Sequence, residues 1–192
     1  MTVLIIGLIL FLGVHMVPAF PDLRRALHDR LGEGAYKGLF SLASLVGLAV
    51  LIWGYGLARA AGPAILWEPP AFLRHIEHLL MLIAFIVLTA AYVPGRIKAK
   101  LRHPMLVAVK TWAFAHLFVN GDAASILLFG AFLAWAVFDR ISVARRERAG
   151  LLPAQLPVGP VKNDIIAVVV GTLVFLAFFF KLHVWLIGVP VY

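Results

Sequence analysis

Six apolar stretches, each closed by turn residues or by clustered arginines and lysines, leave this chain little choice of surroundings. They run over 2–20, 39–57, 76–93, 105–120, 123–141 and 165–187. In hydrocarbon every backbone N–H and C=O must bond internally, which confines such stretches to helices. The expected fold is therefore all-α: one polytopic transmembrane helix bundle over residues 1–192, with about six spans. The composition agrees, being 63% hydrophobic and 14% charged, far from a soluble domain. Cysteine is absent, which excludes disulfides, Cys-ligated zinc and thiol catalysis. The net charge of +8 predicts topology and contact with anionic lipid. The basic residues are not interleaved with exposed aromatics, so nucleic acid is not an expected partner.

The first stretch, TVLIIGLILFLGVHMVPAF, has no basic n-region and no Ala-x-Ala site, which predicts a retained span. Pro18 and Pro21 are expected to end or kink it, and a basic loop with Arg24, Arg25, Arg30 and Lys37 to follow. Gly47, Gly54 and Gly56 in the second span allow close helix contact. The connection from Ala58 to Arg74 is apolar and turn-rich, with Trp67 as an interface anchor. Pro94-Gly95 closes the third span. The fourth is short for a crossing. It meets the fifth through Asn120-Gly121, with Asp122 as N-cap, predicting a tight antiparallel hairpin. The segment LLPAQLPVGP reads as an extended connector.

Seven histidines are the main stock of chemistry. His28 lies in a charged loop and reads as a solvated surface residue. His103, in Arg-His-Pro at the interface, suits either lipid phosphates or a functional role. His15 and His116 lie inside apolar spans, where a ring nitrogen needs a reason. His116 shares a helical stripe with Met105, Val109, Trp112 and Val119. Either each histidine ties helices together by a hydrogen bond, or bundle-core histidines hold a heme iron or another transition metal. A rim group of His75, Glu77, His78, Lys181 and His183 offers a metal site, a proton relay or a plain polar turn. Lys110 is placed to snorkel to the surface. There is no Gly-rich phosphate loop, no Gly-x-Ser-x-Gly and no His-Glu-x-x-His, and RHIEH at 74–78 resembles the last only superficially.

The run RHPM, then WAFAHLFVNGD, then SILLFGAFLAWAVFDRIS resembles the NnrU family of bacterial membrane proteins over nearly the whole chain. That resemblance implies a place in the bacterial inner membrane, a link to denitrification through nitrite and nitric oxide metabolism, and denitrification enzymes as partners beside the lipid bilayer. The same pattern is similar to 15-cis-zeta-carotene isomerase, a membrane enzyme with heme b. By that similarity the axial ligands fall on His15 and His116, and an isomerase-like redox-dependent activity is implied. The isomerase has a cysteine where this chain has Ala113, which removes ligand switching through that thiol. Arg102-His103-Pro104-Met105 also resembles membrane methyltransferases, but Met105-Leu106-Val107 replaces their Tyr and Gly, and Asp164 is the only acid after Pro160. A non-catalytic accessory or transport protein with structural histidines is the competing class.

Depth enters the choice of ligands. With the N-terminus outside, His15 lies roughly 21 Å from the outer end of its span and His116 roughly 6 Å. A heme lying nearly flat accommodates that difference. An upright heme requires histidines at matching depth, such as His116 with His75, His78 or His183. Arg and Lys concentrate in the first, third and fifth loops, while the other side holds only Arg59 and Arg74. Both termini are thus expected on the non-cytoplasmic side. A reporter fused after Tyr192 that works only outside the cytoplasm is expected to be active, and one that works only inside to be silent.

Overall fold

The computed structural model describes residues 1–153 and 157–191. Residues 154–156, in the middle of the expected Pro-rich connector, and Tyr192 lie outside the described residues. The elements are α1 (Thr2–Met16), a 3-10 turn (Val17–Ala19), α2 (Pro21–Ala60), α3 (Leu73–Tyr92), α4 (Arg96–Leu101), α5 (Pro104–Val119), α6 (Ala123–Arg148), α7 (Val161–Ala177), a π-helical turn (Phe178–Leu182) and α8 (His183–Ile187). Among the described residues the only β pairing is an isolated bridge, Ile65 to Asp122. Five segments are long and apolar enough to cross a membrane: Thr2–Ala19, Pro21–Ala60, Leu73–Tyr92, Ala123–Arg148 and Val161–Ile187. Pro104–Val119 is apolar but has only 16 residues.

Two stretches expected as loop are helical. Pro21 does not only end what precedes it; it occupies the first turn of α2, where its missing N–H costs nothing. Residues 21–31 form a helical arm, broken from the rest of α2 at Gly32 (φ 75°, ψ 163°). The basic run after Gly95 is likewise a short helix, α4.

The chain contacts group into two compact units. The first comprises Met1–Pro69 and Asn120–Val143. Its main seam is α1 against α2, running antiparallel. Gly54 faces Leu4, Leu51 faces Gly7, and Gly47 faces Phe11. A Cβ on Gly54 would come 2.5 Å from the Leu4 nitrogen, and one on Gly47 2.8 Å from the Phe11 nitrogen. Glycine lets the two backbones touch, the usual device where lipid supplies no hydrophobic drive between helices. Gly56 differs from its neighbours, since a Cβ there meets nothing within 4 Å. Away from the seam, Leu45, Ile52 and Trp53 face outward, as lipid-facing side chains do.

In the second unit, Pro70–Val119 with Ala144–Tyr192, α3 packs against α5 and α7. α3 and α7 are antiparallel, with Gly171 against the Ile86 backbone, Phe85 against Phe175 and Phe178, and His78 against Phe179. Where they end, polar groups close the corner. Asn163 Nδ2 donates to the Pro94 carbonyl (2.7 Å), and Asp164 Oδ1 accepts the Ile97 N–H (2.9 Å), capping α4 from another helix. Lys98 Nζ donates to the Ala91 carbonyl (2.7 Å).

The seam makes a paired prediction. Gly54→Val should destabilise the protein by about 1–3 kcal/mol through overpacking. Gly56→Val, on the same helix, should change it by less than about 0.5 kcal/mol. Thermal unfolding in mild detergent compares the two.

Candidate functional site

His15 stands in the last turn of α1, in the first unit. Its Nδ1–H donates to the Phe11 carbonyl at 2.7 Å. A carbonyl can only accept, so this bond fixes the proton on Nδ1 and leaves the lone pair on Nε2. Three aromatic rings surround the imidazole: Phe11 at 4.4 Å between centroids, Phe40 at 5.5 Å, and Trp135 at 5.9 Å and edge-on. Trp135 Nε1 is buried and has no hydrogen-bond partner among the described residues. An imidazole lone pair and an unpaired indole N–H thus sit in one aromatic enclosure. His15 is half-buried, but a buried indole N–H left unpaired does not suit a purely structural core, where buried polar groups are paired.

His116, in the last turn of α5, belongs to the second unit and repeats the same local device. Its Nδ1–H donates to the Trp112 carbonyl at 2.9 Å, with the Trp112 ring at 5.4 Å. Nε2 is again the basic nitrogen. Ala113 and Ala115 beside it are fully buried, so position 113 is a packing position with room for a methyl group. His183, just after the π-helical turn, belongs to the same unit as His116. Its own Nδ1–H donates to the Val189 carbonyl at 2.7 Å, across the left-handed turn at Gly188.

The rim group does not converge. His75 is exposed, and Lys181 points outward. His78 Nε2 lies 3.3 Å from both the Val191 carbonyl and the buried Glu77 carboxylate. Among the described residues no set of three or more His, Asp or Glu side chains is arranged to hold a metal ion. His28 is a surface residue, 3.9 Å from Asp29. Asp122 is a cap, its Oδ1 accepting the Ser125 N–H at 2.9 Å. Trp67 lies over the turn that Asp122 closes. The Leu66 N–H donates to the Gly121 carbonyl at 2.8 Å and Ala123 N–H to Ala64 at 2.9 Å, and a Cβ at Gly121 would strike the Trp67 backbone.

The Arg-His-Pro corner pairs with a residue that sequence reasoning missed, Glu147. His103 Nε2 donates to Glu147 Oε1 at 2.9 Å, and the Arg102 guanidinium lies 3.5 Å from the same oxygen. The Glu147 side chain is only 9% exposed. Arg102 has φ 64° and ψ −49°, and the His103 N–H bonds the Leu101 carbonyl at 2.7 Å. That is a γ-turn with positive φ, strained for any residue with a Cβ. His103 is therefore committed to a carboxylate from the end of α6, so the corner is an ion-paired joint within the second unit.

A family model described as NnrU protein matches residues 3–191. No curated protein and no solved structure matches the chain.

The corner carries its own test. Glu147→Gln should cost about 1–3 kcal/mol of stability, because the charge-assisted bonds of His103 and Arg102 are lost together. Arg102→Gly should be less destabilising than Arg102→Ala by about 1 kcal/mol, since only glycine takes positive φ without strain. That order is the reverse of the one found within a helix. Thermal unfolding of the three variants checks both statements.

Proposed function

The chain belongs to the NnrU family, and from that premise we propose that it is a heme b protein of the bacterial inner membrane, serving nitrite or nitric oxide metabolism. In this reading His15 and His116 are the residues that would hold the heme. The observation that carries it is the shared tautomer. Each imidazole donates Nδ1–H to the carbonyl four residues earlier, which orients the ring and leaves Nε2 basic. Histidines that ligate metals are oriented in this way by a second hydrogen bond. The aromatic enclosure of His15 and the unpaired Trp135 N–H suit a flat, largely apolar macrocycle with polar edges.

Bound there, heme would supply one-electron redox chemistry at its iron. The chain's own part is to fix both tautomers, to hold the rings beside Phe11 and Trp112, and to exclude water with apolar helices. The cytoplasmic corner at Arg102 and His103, the six spans and the outward termini complete the arrangement: α5, the fourth span in chain order, joins the five long apolar segments as a short crossing of 16 residues. Redox support of an isomerase-like reaction and nitric oxide sensing both fit this site.

A second reading is favoured by one observation. His183 belongs to the same compact unit as His116, so His116 with His183 is the alternative pair. An accessory or transport role with structural histidines is the non-catalytic alternative.

Protein purified in mild detergent after heme-replete expression is expected to show a Soret band. His15→Ala and His116→Ala should each reduce it at least tenfold, with His183→Ala retaining it. Loss in His183→Ala with retention in His15→Ala moves the site to the second pair. A colourless wild type sinks the heme reading and leaves the accessory role. Binding of S-adenosylmethionine by calorimetry would instead support a methyltransferase, for which the Glu147-bound His103 gives no encouragement.

A further inference from the structure

The arm Pro21–Leu31 stands apart from the candidate heme site and is built like a surface helix. It begins with Pro21 at its first turn and is cut from the rest of α2 by the positive φ of Gly32. With 3.6 residues per turn, Leu23, Leu27 and Leu31 share a stripe roughly 80° wide. Arg24 and Arg30 fall about 20° beyond its two edges, and Arg25, His28, Asp22 and Asp29 occupy the opposite face. Leu23 and Leu31 are 47% and 42% exposed. Arg24, Arg25 and Arg30 are also exposed and make no ion pair among the described residues. The charged groups within the arm are otherwise Asp22 and Asp29, the latter beside His28. An apolar stripe edged on both sides by arginines is the pattern of a helix seated at a bilayer surface. The leucines enter the acyl boundary, and the arginine stems snorkel along them to reach phosphate.

We propose that Pro21–Leu31 is an interfacial helix that docks on anionic phospholipid headgroups, with Leu23, Leu27 and Leu31 inserted and Arg24, Arg25 and Arg30 binding the acidic lipid. The occupant is a lipid surface because the arm continues directly into α2, a helix long and apolar enough to cross the bilayer. Its exposed cations complement that surface. Gly32 supplies the bend that lets a surface helix and a crossing helix follow one another. Each arginine near an acidic leaflet contributes roughly a fivefold preference.

The chain has no cysteine, so single spin labels need no background removal. Leu23→Cys, Leu27→Cys, Arg25→Cys and Asp29→Cys are labelled in the full chain and reconstituted in vesicles of phosphatidylglycerol and phosphatidylcholine. Labels at 23 and 27 are expected to be relaxed by oxygen, which partitions into the acyl region. Labels at 25 and 29 should be relaxed by a water-soluble nickel complex. Independently, combined Arg24→Gln, Arg25→Gln and Arg30→Gln should lower the phosphatidylglycerol retained in native mass spectra at least tenfold relative to phosphatidylcholine. Uniform nickel access at all four sites overturns the proposal. So does retention of acidic lipid by the triple variant, or dipolar coupling between labels of two copies, which would make the arm a contact between chains.

Discussion

A polar side chain surrounded by hydrocarbon must bond to something close at hand, and in this protein it is most often the carbonyl one turn back. Ser44 donates to Phe40, Thr89 to Phe85, Thr111 to Val107, His15 to Phe11 and His116 to Trp112. For a hydroxyl this bond completes the group's main requirement. For an imidazole it also fixes the tautomer, leaving the second ring nitrogen as an acceptor. The constraint that makes the helices self-sufficient is therefore the one that singles out the histidines. The same solvent logic explains the glycine seam between α1 and α2. Lipid gives no reward for burying apolar surface, so close van der Waals contact must do the binding.

The helices were legible because their apolar length is dictated by the bilayer. Gly47 and Gly54 were legible as contact positions for the same reason, whereas Gly56, on the same helix, turned out to face open space. Rotation of the helix decides that, and rotation depends on the partner. Asp122 as a cap could be foreseen from its place after Asn-Gly, before an apolar run.

Charge misled where it stood in for structure. The segment after Pro21 was expected as a loop because of its arginines, although Leu23, Leu27 and Leu31 already carried a helical period. Pro21 reads equally as an end and as a beginning. The joint of His103 with Glu147 was beyond local reading, as 44 residues separate the partners. The γ-turn at Arg102 was hidden by a residue type that rarely adopts it. For the candidate site, the identities of His15 and His116 were visible as polar residues in apolar spans. Their tautomers, and the buried indole N–H of Trp135, required coordinates.

The glycine seam has a consequence in time. The close approaches at Gly7, Gly47 and Gly54 all lie between residues 3 and 54, within the first third of the chain. These contacts join helices that are consecutive in the chain, and they involve none of the residues that follow. The first two helices can pair while the ribosome is still making α3. Every later helix then enters a membrane that already holds this pair.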